Sequence, residues 1–195
     1  MATDNFIKHT HKNPLQQLLI NNFFKTLIKT IQPLHLESIL DVGCGEGFTL
    51  NKLKAAGIGK KLEGIEYLDE AIKLGKKYHP DIVIKKGTIY DLPYKDNSFD
   101  LLLCTEVLEH LEYPKKALKE LVRVTKRYCL LSVPNEPIFM ASNFLRGKNL
   151  SRWGNDIEHI NHWSQYGFEI LVGKELQILK IKTPFPWTMI LAEKI

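Results

Sequence analysis

From residue 38 onward, short apolar runs alternate with segments whose apolar positions recur every three or four residues. Strands and helices following one another in this way indicate an α/β fold with a largely parallel sheet. The runs predict strands near Ser38–Val42, Leu62–Glu66, Ile82–Lys86, Phe99–Cys104 and Tyr128–Val133. Two more, Gln177–Lys182 and Trp187–Glu193, close the chain as a hairpin around Pro184-Phe185-Pro186. Helices are predicted near Phe48–Ala56, Asp69–Tyr78, Thr105–Leu111 and Pro114–Lys126. The last shows Ala117, Leu118, Leu121, Val122 and Thr125 on one face and Lys115, Lys119, Glu120 and Arg123 opposite. Upstream, Asn13-Pro14 supplies an N-cap and a first helical residue. Leu15, Leu18, Leu19, Phe23, Leu27 and Ile31 then follow helical spacing, so residues 1–35 read as a helical cap. The rhythm breaks between Pro134 and Trp163, where an apolar helical stretch at Ile138–Leu145 gives way to polar residues before a final helix from Ser164. With Phe139, Phe144, Trp153 and Trp163, residues 134–163 read as a lid inserted in a single domain spanning 1–195.

Composition narrows the class without naming a chemistry. The chain has 195 residues, 44% hydrophobic and 25% charged, the ordinary balance of one globular domain. No apolar run approaches the ~20 residues of a membrane-spanning helix, and the N-terminus has no apolar signal-peptide core. Cys44, Cys104 and Cys129 lack metal-type spacing and are odd in number, which fits free thiols in a reducing, cytoplasmic setting. A net charge of +5 raises the question of nucleic acid, but the lysines come as scattered pairs between acids, so a solvated surface is expected and a nucleic-acid partner disfavoured. Nothing in the sequence sets an oligomeric state.

Candidate chemistry begins at Leu40-Asp41-Val42-Gly43-Cys44-Gly45-Glu46-Gly47, where three alternate glycines follow a strand and open a helix. Glycine there permits a sharp turn and close approach of a ligand to the backbone. A dinucleotide fingerprint would need a glycine at 48, where Phe48 stands, and Glu46 would compete with a pyrophosphate for the helix N-terminus. A zwitterionic ligand fits better, its ammonium facing Asp41. Glu66 closes the second strand, where an acid can bind both hydroxyls of a ribose. Gly87-Thr88-Ile89-Tyr90-Asp91-Leu92-Pro93 follows the third strand, and Asn97 to Glu106 runs through the fourth. All four elements lie at strand carboxyl ends, where ligands of open α/β sheets bind.

On these motifs the chain resembles class I S-adenosylmethionine-dependent methyltransferases, of the type 11 kind, over nearly its whole length. The resemblance implies a Rossmann-like, doubly wound seven-stranded sheet with an antiparallel last strand. It implies S-adenosylmethionine as cofactor, with Asp41, Gly43, Cys44 and Gly45 along its methionine part. Glu66 would take the ribose, Thr88 and Ile89 the adenine, and Thr105 would lie near the methionine and sulfonium end, with Tyr67 also among the cofactor-binding residues. Two positions depart from the family pattern. Thr88 stands where many relatives carry Asp, and Lys126-Arg127-Tyr128 replaces a proline-glycine-glycine turn before the fifth strand.

Methyl transfer needs alignment of the acceptor and, for a weak nucleophile, a base or metal. Glu106, Glu109 and His110 fall at i, i+3 and i+4 after the fourth strand, and His159 and His162 follow in the insertion. This set is similar to that of Mg²⁺-dependent O-methyltransferases, which leaves Mg²⁺ open. His110 and His162 are the expected catalytic residues, with no metal ligand assigned. The expected activity is methyl transfer to a small-molecule acceptor, at oxygen. The alternatives are an Mg²⁺-dependent RNA 2′-O-methyltransferase and a non-catalytic S-adenosylmethionine-binding partner protein.

Overall fold

The computed structural model describes residues 3–10, 13–145, 147 and 149–195. Its strands are β1 (Ser38–Val42), β2 (Lys61–Glu66), β3 (Val83–Lys86), β4 (Phe99–Thr105), β5 (Thr125–Pro134), β6 (Leu176–Lys182) and β7 (Trp187–Lys194). The helices are α1 (Asp4–Thr10), α2 (Pro14–Ile31), α3 (Phe48–Ala55), α4 (Asp69–Tyr78), α5 (Pro114–Val124), α6 (Ile138–Leu145) and α7 (Gln165–Val172). One sheet runs in the order β3-β2-β1-β4-β5-β7-β6, parallel except for β7, which is antiparallel to both neighbours. This is the doubly wound sheet with an antiparallel last strand that the family resemblance implies. Strand order reverses between β1 and β4, so a crevice opens at their carboxyl ends.

Period-two alternation explains why the sheet is covered on both faces. Leu102 and Cys104 of β4 join Ala117, Leu118, Leu121 and Val124 of α5 and Phe168 of α7 in one core. Leu101 and Leu103 turn to the other face, against Phe23, Phe24, Leu27 and Ile31 of α2. Asn13 caps α2, its side chain accepting from the N–H groups of Leu15 and Gln16. Cys44, Cys104 and Cys129 are free and buried. No helix among the described residues is long and apolar enough to cross a membrane.

Two segments differ from the sequence expectation. Residues 105–111 do not form an α-helix: Glu106 takes a left-handed φ of 60°, and only a 3₁₀ turn at Leu108–His110 follows. The Glu106 N–H donates to the Ser132 carbonyl at 3.0 Å, which holds it on the sheet. Lys126, Arg127 and Tyr128 lie within β5 and form no turn, because α5 stops at Val124 and Thr125 turns extended to pair with Phe99. Within residues 1–35, read as a helical cap, α1 forms where no periodicity of its own marks a helix.

The inserted segment is anchored at its far end. The N–H groups of Ile160 and Asn161 both donate to the Glu109 carbonyl at 2.9 Å, and Asn161 Nδ2 donates to the carbonyl of Leu111 at 2.7 Å. Residues 159–162 are thereby fixed against the turn that follows β4.

Leu118 is fully buried under the β4–β5 surface, whereas Val83 on edge strand β3 is half exposed. Leu118→Ala should cost about 2–5 kcal/mol of unfolding free energy in urea titration. Val83→Ala should stay within about 0.5 kcal/mol. Equal effects would contradict this placing of the core.

Candidate cofactor and active site

The glycine turn is built by backbone geometry. Gly43, Gly45 and Gly47 have φ of 76°, 54° and 81°, conformations that side-chain-bearing residues rarely adopt. The N–H groups of Gly43 and Cys44 donate to the Ile65 carbonyl at 2.8 and 3.1 Å, tying the turn to β2. Glu66, at the end of β2, completes the tie. Its Oε2 accepts from the Gly45 N–H at 2.8 Å, and its Oε1 accepts from the N–H groups of Tyr67 and Leu68, also at 2.8 Å. A carboxylate accepts about four hydrogen bonds, so room is left for a ligand hydroxyl.

The other residues expected around a cofactor gather at the same end of the sheet. Tyr67 is exposed beside Glu66. Thr88 ends a short bridge with Asp91, and its Oγ1 accepts from the Tyr90 N–H at 3.3 Å. Ile89 turns its side chain into the core, so only its backbone can border a ligand. Thr105 closes β4 opposite Ser132. Asp41 is 1% exposed, and neither carboxylate oxygen has a hydrogen-bond partner among the described residues. Burial, reinforced by the charge of Glu66, pushes its pKa from 3.8 up to about 7. A buried carboxylate without a partner is costly, and the ammonium of a zwitterionic ligand is the kind of partner it lacks.

Two details revise the role of the turn. A Cβ on Gly43 would lie 2.4 Å from Val107 Cγ2, and one on Gly45 would lie 2.6 Å from Asn5 Nδ2. The missing side chains therefore make room for Val107 and Asn5, where sequence reasoning expected open approach for a ligand. Glu46, expected at the helix entrance, is 0% exposed and accepts hydrogen bonds from Thr3 Oγ1 and from Asn5 Nδ2. It holds the N-terminal segment carrying α1.

The chemical end lies past β4. Glu109 is 1% exposed with both oxygens unpartnered among the described residues, and Glu106 accepts from Ser132 Oγ at 3.0 Å. Burial raises both carboxyl pKa values, Glu106 adding to the rise at Glu109 and Lys8 opposing both. His110 Nδ1 lies 2.9 Å from the Glu158 carbonyl, which can only accept, so Nδ1 carries the proton and Nε2 is left as base or ligand. Burial lowers the His110 pKa and favours this neutral form. Nε2 stands 3.9 Å from Glu109.

His159, which sequence reasoning noticed but did not assign, is brought against His110 with ring centroids 5.1 Å apart. Ligand atoms of Glu109, His110 and His159 all lie within 4.8 Å of one another. His162 stands farther out, its ring 6.5 Å from that of His159. Glu136, just past β5, lies 3.8 Å from Nδ1 of both His159 and His162 and is buried. Sequence reasoning missed Glu136, although an acid just beyond a strand's carboxyl end is the available signal. Asn5 and Lys8 were also missed. The Lys8 ammonium lies 5.2 Å over the Trp187 ring, and no motif marks either residue. Two open hollows of about 290 Å³ each lie away from this site, one near the amino ends of β1 and β2 and one beside α2 and β6.

A glycine turn, an acid closing the next strand and a switch-point crevice define an α/β domain built to hold a nucleoside-containing ligand. Comparison with known proteins is more specific. A family model described as "Methyltransferase domain" matches residues 40–132. An uncharacterized methyltransferase of Schizosaccharomyces pombe is 34% identical over 136 residues, covering 64% of this chain and 47% of that protein. A demethylmenaquinone methyltransferase of Renibacterium salmoninarum is 36% identical over 90 residues, covering 46% and 37%. The chain thus spans about half, or less, of the length of these curated relatives. A crystal structure of a Pyrococcus horikoshii protein superposes with a TM-score of 0.77 at 15% identity, covering 100% of both chains. Residues 40–132 thus match a methyltransferase domain, and the chain is similar to class I S-adenosylmethionine-dependent methyltransferases.

Asp41 gives this site a pH signature. Between its ordinary value of 3.8 and about 7, the folded protein keeps a proton on Asp41 that the unfolded chain has released. Stability from this group is therefore fully present below the unfolded value and is lost as pH rises through the folded one, on the order of a few kcal/mol. Without ligand, wild-type melting temperature should fall relative to that of Asp41→Asn across this window. Parallel melting profiles for the two proteins would show that Asp41 titrates normally.

Proposed function

We propose that this protein transfers the methyl group of S-adenosylmethionine to an oxygen of a small-molecule acceptor. The observation carrying this reading is the pairing of unpartnered, buried Asp41 with the Glu66-tied glycine turn at one strand-end crevice. S-adenosylmethionine supplies an electrophilic methyl group when bound. Glu66 and Tyr67 border its ribose, Thr88 and the Ile89 backbone its adenine, and Asp41, Gly43, Cys44, Gly45 and Thr105 its methionine end. On the acceptor side, His110 offers an unprotonated Nε2 beside Glu109 to take the hydroxyl proton, and His162, held near Glu136, lines the same space. The name of the demethylmenaquinone relative supports a small-molecule acceptor. The buried free cysteines support a reducing, cytoplasmic setting.

The geometry of Glu109, His110 and His159 favours a second reading, in which the same side chains hold a divalent cation against the acceptor oxygen. The unpartnered Glu109 carboxylate fits a cation. Two imidazoles and one carboxylate suit Zn²⁺ or another imidazole-binding metal better than Mg²⁺, which prefers oxygen ligands.

Calorimetric titration should show binding of S-adenosylhomocysteine and none of nicotinamide dinucleotides. Glu66→Ala should weaken that binding by about 2–3 kcal/mol. Dinucleotide binding without response to S-adenosylhomocysteine would overturn the proposal. Once an acceptor is found by product screening, His110→Ala should lower kcat by about 10²–10⁴. Turnover insensitive to a chelator assigns His110 as base; turnover lost to the chelator and restored by Zn²⁺ or Mn²⁺ assigns the metal. Full turnover in His110→Ala would contradict both.

A further inference from the structure

We infer that α1 completes the cofactor site, with Asn5, seated against Gly45 and held by Glu46, contacting the amino-acid end of the ligand. This rests on the cofactor reading above. Glu46 sits in the glycine turn with no solvent exposure, and a carboxylate so placed needs donors. Its side-chain donors are Thr3 Oγ1 and Asn5 Nδ2, the latter at 2.5 Å, both from the N-terminal segment. That segment is seated by several independent contacts. The Phe6 ring lies 4.7 Å from Tyr78, and His9 stacks on Phe48 at 4.4 Å. Gln16 Nε2 donates to the Lys8 carbonyl at 3.0 Å, which fixes α1 to α2.

The direction of α1 matters as much as its attachment. Asn5 and Lys8 are three residues apart, on one helical face. Asn5 stands over Gly45, while the Lys8 ammonium lies over Trp187 and its charge is felt by Glu106 and Glu109. One face of α1 therefore runs from the glycine turn to the chemical end. It roofs the length along which the methionine part would extend.

The chemistry of the Asn5 amide suits that position. One of its two N–H groups is engaged by Glu46, leaving a second N–H and the carbonyl oxygen free of that contact. A neutral amide can donate its second N–H to a ligand carboxylate. It does so without adding charge beside buried Glu46. Asn5 would be a binding residue and Glu46 the residue that positions it.

The test compares two ligands that share the nucleoside and sulfur. S-adenosylhomocysteine carries the amino-acid group, and 5′-methylthioadenosine lacks it. In Asn5→Ala, calorimetry should show S-adenosylhomocysteine weakened about tenfold, one charge-assisted hydrogen bond, with 5′-methylthioadenosine changed less than about twofold. Asn5→Asp, which keeps the side-chain shape but adds a negative charge, should show the same selectivity with a larger loss. Glu46→Ala should match Asn5→Ala, and the double variant should lose little more, because the two act as one unit. Equal losses for both ligands, or no loss for either, would overturn the proposal by reducing α1 to packing. If the unmodified protein binds neither ligand, the cofactor reading itself falls, and this proposal with it.

Discussion

The carboxylate of Glu66 accepts three backbone N–H groups from two different turns, one after β1 and one after its own strand. These turns lie side by side because β1 and β2 pair in parallel, with Val42 opposite Ile65. Charge-assisted hydrogen bonds from a nearly buried carboxylate fix the turns more firmly than neutral bonds would. Removing Glu66 would leave the Gly45, Tyr67 and Leu68 N–H groups to find water or strain. The glycine turn in turn positions Glu46, and Glu46 positions the N-terminal segment. The candidate site is thus a chain of dependencies beginning at one side chain.

The same end of the sheet collects groups that a purely structural domain would avoid. Among the described residues, Asp41 and Glu109 each have two buried carboxylate oxygens without hydrogen-bond partners, and Glu136 has one. Buried polar groups are nearly always satisfied in stable folds, and exceptions concentrate where a ligand or reaction uses them. Trp187 Nε1 and Thr188 Oγ1, at the start of β7 beside the end of β5, are buried without hydrogen-bond partners among the described residues as well. Leu101, Leu102 and Leu103 of β4 are fully buried among apolar neighbours up to the point where the strand reaches the crevice. Along β4, fold stability and site chemistry are therefore segregated, apolar in the middle of the strand with Glu106 and Glu109 just past its carboxyl end.

Much of this was legible in the chain. Alternation located all seven strands, and the Asn13 cap with Pro14 fixed the start of α2. The acid closing the second strand pointed to Glu66 because strand-end position is itself a physical signal. Other features depend on contacts that no local pattern encodes. Glu106 adopts a left-handed conformation because its N–H is drawn to Ser132, so a stretch with helical spacing became a turn. Thr125 fitted the apolar face of a helix, yet its β-branched side chain suits the strand that pairing with Phe99 imposes. Seven residues are too few for periodicity to reveal α1, which is held by tertiary contacts to Glu46, Tyr78 and Phe48. Between His159 and His162, the bonds from Ile160 and Asn161 to the carbonyls of Glu109 and Leu111 set which imidazole meets His110.

Backbone hydrogen exchange reads the central dependency directly. S-adenosylhomocysteine added to the intact protein should slow exchange at the Gly45, Tyr67 and Leu68 amides and across residues 3–10. Exchange in β6, at the far edge of the sheet, should be unchanged. Protection confined to another face, or a glycine turn whose exchange ignores the ligand, would contradict a cofactor site organised by Glu66.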